Sequence, residues 1–519
     1  MVNLTSFYLP MPIKVSNKMT ADPMPMENVF DARTLVTYFN MREKQDMKQK
    51  LIQRVLEAND YHTLGKLGST VFGFINHPLR REAWRQLLYE QLTIYDDEDK
   101  DPELLSVKQH KDENQVMLDV KRSFGTLKDE RLKERLRDIL YSTIVKVLRK
   151  YPQLNYYQGY HDLVSVFIMV FIESYPFVKT TSFLTPLDAR IRGDTDPIQN
   201  TDTQTSSSGI SKDNKIVDEE QLFGCVERFT LLYLRDFMMN CLDFSLDQLQ
   251  IIPQLMRMMD IDLFSKLHFD SINPFFAISA ILTIFSHDLK PWEDGSSNGT
   301  IFQIFDLVIS KQSMLVPLFI YANIILEKKQ LLLEAYECNQ DNFENTVDLV
   351  HGIIQQVLMI PSSNDNDADD NKFWRKILKI SQDMSIIDDY NGWQTIIHPQ
   401  SVLLTTASGE GTIKQYNIEE VLCLLGKQIE INEAYKNVPI NDKPSCYYGK
   451  SESTCLNCAA LYSGSFIKLS ILIGIFAILL RFTGRNTFKN KMGFMFPDFS
   501  KYSSLNYILS MINTYKTEE

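Results

Sequence analysis

An excess of positive charge is what this sequence most plainly lacks. Its 519 residues carry 54 Lys and Arg against 66 Asp and Glu, a formal net charge of −12. A surface built on phosphate contacts needs clustered Lys and Arg, so the balance argues against nucleic acid and in favour of a protein partner. Cysteine is sparse, seven residues in all, an odd number without regular spacing. That argues against a disulfide framework. The first 26 residues, mixed and rich in Pro and Met, hold no leader-like apolar run, so the bulk of the chain is expected in a reducing cytosol. There is no nucleophile triad, no phosphate-cradling glycine loop and no zinc-ligand set. The acidic run Asp96-Asp97-Glu98-Asp99-Lys100-Asp101 lacks the turn glycine and terminal glutamate of a calcium loop, and residues 96–114 read as a solvated loop. Cys446, Cys455 and Cys458 contain one Cys-x-x-Cys with no matching pair or His. Chance spacing explains them best, with palmitoylation beside an apolar segment as the livelier alternative to a metal site.

What is present is the composition of an ordinary globular protein, 44% apolar and 23% charged, with enough chain for a substantial core. Helical periodicity dominates. Asp31–Ala58 reads as one or two surface helices, and Leu132, Leu136, Ile139, Leu140, Ile144, Val147 and Leu148 recur at helical spacing with charges between them. Leu163–Ile172 is apolar on every side yet too short to cross a bilayer, which predicts a buried core helix. Between these two lies Leu154-Asn155-Tyr156-Tyr157-Gln158-Gly159-Tyr160-His161-Asp162, a polar and aromatic stretch placed where a binding loop on a rigid scaffold belongs. Gln158 is its candidate for an outward-pointing group, and Gly159 permits a turn that other residues resist. Further upstream, Val116, Val120 and Phe124 form one apolar stripe, and Arg122 projects about 160° from its centre. Arg122 therefore faces solvent or a partner. On that pattern alone an exposed arginine is explained by solubility. Asp119, one turn earlier, is placed to hold the guanidinium or to bond a neighbouring segment. Arg80 lies four residues before Trp84 on the same helical face and reads as a packing or ion-pair residue.

Three of these stretches together resemble a known family. Arg80-Arg81-Glu82-Ala83-Trp84, preceded by Gly73–Leu79, resembles the Arg-x-x-x-Trp opening of TBC domains, the helical GTPase-activating modules for Rab-type small GTPases. Val116-Met117-Leu118-Asp119-Val120-Lys121-Arg122 is similar to their Ile-x-x-Asp-x-x-Arg, with Val for Ile. Tyr156-x-Gln158-Gly159 is similar to their glutamine motif. The string Asn155–Asp162 looks closest to the subgroup with a C-terminal membrane anchor at the endoplasmic reticulum. Phe285-Ser286-His287-Asp288 and Phe305-Asp306 resemble the C-terminal half of the domain, although Ser279-Ala280 stands where the family often has Arg-Trp. The resemblance implies an all-α fold. It implies catalytic roles for Arg122, offered to the phosphates, and Gln158, which positions the attacking water, with Asp119, Tyr156, Gly159, Arg80 and Trp84 in support. The partner implied is a Rab in its GTP form, which itself holds Mg-GTP, so no cofactor or metal is expected on this chain. The pathway it suggests is early secretory, ER-Golgi traffic. Two other readings stand beside this one: a catalytically silent TBC-type scaffold that binds a Rab on a membrane, and a membrane-organising protein whose C-terminal segment is the functional part.

The organisation expected is an N-terminal extension, 1–65; a TBC domain, 66–335, with a disordered polar insertion at 179–220; a helical and linker region, 336–458; a transmembrane segment, 459–480; and a tail, 481–519. The insertion is rich in Thr, Ser, Asp and Gly. Long apolar helices are expected over Phe264–Phe285 and Ile301–Leu333. Ala459–Leu480 carries one charge, Lys468, and its length suits a bilayer span. Arg481, Arg485, Lys489 and Lys491 follow it, so the positive-inside rule sets the tail in the cytosol, where the Rab-binding domain must also lie. One pass cannot satisfy both, and the large folded domain is expected to override the rule. A hairpin or an interfacial helix is the alternative.

Overall fold

A computed structural model of the chain describes residues 32–95, 108–172, 217–292, 298–339, 346–358, 368–388, 391–395, 397–406 and 414–436. All lie in one compact unit, Met1–Asn437. The elements run α1 (Ala32–Glu57), α2 (Tyr61–Gly68), α3 (His77–Gln91), β1 (Leu92–Thr93), α4 (Glu113–Arg122), α5 (Glu130–Lys150), α6 (Tyr160–Phe171), α7 (Glu219–Phe229), α8 (Asp243–Leu249), α9 (Ile251–Met259) and α10 (Ile261–Lys266). They continue with α11 (Ile278–Leu282), α12 (Thr300–Lys311), α13 (Leu315–Glu327), α14 (Lys329–Asn339), α15 (Thr346–Val357), α16 (Ala368–Ser381), α17 (Ser385–Asp388), α18 (Val402–Thr406), β2 (Tyr416–Asn417) and α19 (Ile418–Lys436). The fold is helical, as expected. Among the described residues the one sheet is the two-residue parallel pair of β1 and β2.

α6 is the axis. Every residue from Tyr160 to Phe171 is buried, as a run apolar on all sides requires. Phe167 packs at 5.0 Å from the ring of Trp84 on α3, 5.0 Å from Phe229 on α7 and 6.0 Å from Phe305 on α12. The apolar positions anticipated on α5 are all buried, and Asp129 caps that helix by accepting from the backbone of Arg131 and Leu132.

Local breaks differ from the sequence reading in several places. The helix carrying Arg122 starts at Glu113, inside the stretch read as a loop, and stops at Arg122 rather than running on through Phe124. Phe124 turns into the left-handed region at φ 58° yet stays buried, its ring 4.8 Å from Trp292. The end of the anticipated insertion is ordered by pairing: Ile172 bridges Val217, and Asp218 caps α7. Phe264–Phe285 is not one helix. It is divided by Pro274, with left-handed turns at His268, Ile284 and Phe285. Ile301–Leu333 is cut into three, first at Gln312, which ends α12 at φ 52°. The remainder of the insertion, the apolar segment 459–480 and the three clustered cysteines lie outside the described residues. Among the described residues no helix is long and apolar enough to cross a membrane.

Residues beyond α14 join the same core. Trp374 on α16 is buried with its ring 6.1 Å from Phe285. Asp236, buried after α7, accepts from the Ser401 hydroxyl at 2.5 Å, the Val402 amide at 3.1 Å and the Gln428 amide at 2.6 Å.

Burial, aided by Arg80 and Arg81, pushes the His77 imidazole down to about 3, and its ring stands edge-on to Phe302 at 4.6 Å. The folded state therefore resists protonation that the unfolded chain accepts near its ordinary value of about 6.5. This contribution is intact above about pH 6.5 and is lost progressively as pH falls toward the folded value, by at most about 1.4 kcal/mol per pH unit. In His77→Gln, urea-unfolding free energies fall less steeply between pH 6.5 and 4 than in the wild type; equal slopes would refute the assignment.

Candidate functional site

α4 brings one charged pair to the surface. Arg122 is its last residue, where the helix dipole favours a cation. Its side chain is 61% exposed, whereas Asp119, with which it forms an ion pair, is fully buried. A buried carboxylate is costly unless its oxygens are occupied. Asp119 Oδ1 accepts from Arg122 Nη2 and, at 3.3 Å, from Gln115; Oδ2 accepts from the Tyr156 hydroxyl at 2.9 Å. The guanidinium of the exposed arginine is thus tied through Asp119 to the loop that carries Gln158.

That loop is held from several sides. The Tyr156 amide donates to Asp112 at 2.9 Å, the Asn155 amide donates to the Met238 carbonyl at 2.8 Å, and the Tyr157 hydroxyl donates to the Leu282 carbonyl at 3.0 Å. Gln158 is half-buried between these anchors. Gly159 sits at φ 114° and ψ −20° as the N-cap of α6. Only glycine takes this backbone without strain, and a Cβ there would stand 2.7 Å from Thr283 Cγ2. Gly159→Ala is expected to destabilise the fold by about 1–3 kcal/mol and to shift Gln158. Adding Thr283→Ser, which removes the obstructing methyl and keeps the hydroxyl, recovers part of the loss in thermal unfolding; no recovery would show that the methyl contact is not the cause.

Behind the loop lies a polar cluster that the sequence reading did not single out. His161 Nδ1 is 3.1 Å from the Tyr156 hydroxyl. Asp162 accepts from Lys290 at 2.6 Å and faces His287 Nδ1 at 3.0 Å. Burial lowers the His161 imidazole against the pull of Asp162 and Asp119. Burial, then the Asp119 charge, raises the Tyr156 phenol well above its usual value, which keeps it a donor. Burial alone would raise Asp162, but His161, Lys290 and His287 outweigh it and hold the carboxyl well below the usual range. Asp162 lies within the quoted loop string and His287 within a second motif, but their pairing spans 125 residues and leaves no periodic trace.

Arg80 and Trp84 are placed elsewhere. Both are buried on α3 against Asp306 of α12: Arg80 Nε donates at 2.9 Å, Arg80 Nη2 at 2.9 Å and Trp84 Nε1 at 2.8 Å, with the Phe74 amide a fourth donor at 2.9 Å. They close the fold around the site rather than present a group to it. Asp306 is the residue on which this cluster converges.

The site thus presents an exposed guanidinium, anchored through Asp119 and Tyr156 to a loop that carries the half-buried Gln158. The profile of the Rab-GTPase-TBC domain matches residues 77–333. The chain is 36% identical over 475 residues to the GTPase-activating protein GYP8 of Saccharomyces cerevisiae, covering 89% of this chain and 87% of that protein. It is 26% identical over 295 residues to the GTPase-activating protein gyp10 of Schizosaccharomyces pombe, covering 56% of this chain and 64% of that protein. It is 24% identical over 330 residues to human TBC1 domain family member 20, covering 61% of this chain and 65% of that protein. The chain belongs to the TBC-domain family of Rab GTPase-activating proteins.

Proposed function

We propose that the chain accelerates GTP hydrolysis by a Rab in its GTP form, with Arg122 supplied to the phosphates and Gln158 positioning the attacking water. The observation that carries this reading is the Arg122–Asp119–Tyr156 chain, which ties the exposed guanidinium to the loop bearing Gln158. Charge develops on the transferring phosphate, and a planar guanidinium matches two of its oxygens. A glutamine amide accepts from water through its oxygen and donates through its nitrogen. Magnesium and GTP belong to the partner, and this chain supplies side chains alone. The reading extends to early secretory traffic, on the similarity of the Asn155–Asp162 string to the endoplasmic-reticulum subgroup, and to attachment through segment 459–480.

The test is single-turnover hydrolysis by a panel of GTP-loaded Rabs with residues 1–437, wild type beside Gln158→Ala. A shorter piece ending near residue 360 would cut away Trp374, Ser401 and Gln428 from the core they complete. Acceleration of one or a few Rabs, reduced by orders of magnitude in Gln158→Ala, is the expected outcome. Binding without acceleration of any Rab would leave a scaffold in place of an activator.

A further inference from the structure

We infer that Leu118, with Met117 beside it, is the apolar contact through which α4 discriminates among GTPases; the inference rests on the activator reading above. Glu113, Val116, Asp119 and Val120 of α4 are buried, which leaves the opposite face to Asn114, Gln115, Met117, Leu118, Lys121 and Arg122. At about 100° per residue, Leu118 falls near the middle of that face, roughly 40° from Arg122 and 60° from Lys121. Leu118 is 57% exposed and Met117 41% exposed. Neither adds to the core, so their apolar surface gains its burial only from something outside the described residues.

The position of Arg122 says what that is. Its guanidinium is tied down to Asp119, so it does not extend freely toward a distant phosphate, and the partner must come to the helix. Residues four apart on a helix have Cβ atoms about 5–6 Å from one another. A protein that brings its nucleotide to Arg122 therefore lies against Leu118, one turn below. The surface that fits is an apolar patch beside the nucleotide site, rimmed by acidic groups that face Lys121 and Arg122. Such a patch differs among GTPases in a way that phosphate does not, so Leu118 sets choice of partner and Arg122 sets rate.

The experiment measures hydrolysis by the responsive Rab over a range of concentrations of the full-length chain, wild type beside Leu118→Ala, Leu118→Glu and Arg122→Ala. Leu118→Ala is expected to raise the half-saturating concentration about tenfold, and Leu118→Glu further, with the saturating rate much less affected. Because Leu118 is exposed in the free protein, the thermal unfolding of both Leu118 variants matches the wild type. The rank order across a Rab panel shifts in Leu118→Glu. If both Leu118 variants leave half-saturation and rank order unchanged while Arg122→Ala abolishes acceleration, the inference fails and the activator reading stands. If Arg122→Ala retains the wild-type rate, both fail.

Discussion

Arg122→Lys is expected to lower the single-turnover rate of the activated Rab by roughly 10³ or more while leaving Rab binding largely intact, since an arginine supplied in trans is worth about 10³–10⁵ in rate. Lysine keeps the charge but loses the planar fork. An ammonium on a shorter reach cannot remain paired with Asp119 and span two phosphate oxygens together. The substitution is at an exposed helix terminus and keeps a cation for the buried Asp119 carboxylate, so the fold is retained and the loss appears in the saturating rate. Rapid-quench measurement of phosphate release, with binding followed separately by a fluorescent nucleotide, separates the two. A rate within a few-fold of wild type would remove the assignment of Arg122.

Asp306→Ala is expected to have the largest effect on stability. Asp306 accepts from Arg80 twice, from Trp84 and from the Phe74 amide, and both members of the Arg80–Asp306 pair have fully buried side chains. Removing one partner of a buried ion pair strands the other, at a cost of about 3–5 kcal/mol. The loss of acceptors for Trp84 and Phe74 adds to it. Gly73 belongs to the same arrangement: its φ is 50°, and a Cβ there would meet Asp306 Oδ2 at 2.1 Å. Urea unfolding of residues 1–437 reads the change. The pair with Arg80→Met tests its origin: the double variant is expected to be more stable than Asp306→Ala alone, because no buried charge is left unpaired. A double variant as unstable as the sum of its parts would place the cost in lost packing instead.

The legible part of this protein was what repeats locally. α5 and α6 follow from their apolar periods, and the outward direction of Arg122 follows from the stripe of Val116 and Val120 on the other side of α4. Phe124 belongs to that stripe in sequence and is buried in the structure, but by a left-handed turn rather than a longer helix. The break at Pro274 is one that the proline itself signals, and the break at Gln312 was less legible. Apolar content alone does not say whether a run is one helix or three, and a left-handed cap at glutamine has no strong sequence signature.

The motifs along the chain picked out the residues proposed for the site, because a guanidinium, a carboxylate one turn away and a glutamine beside a glycine are local patterns. Folding decided what those residues rest on. Asp119 meets Tyr156 across 37 residues, Asp162 meets His287 and Lys290 across 125 and 128, and Arg80 meets Asp306 across 226. Helical periodicity reports only whether a position faces inward. Which buried donor finds which buried acceptor depends on how helices distant in sequence cross, and a buried charge without its partner is too costly for that crossing to be left open.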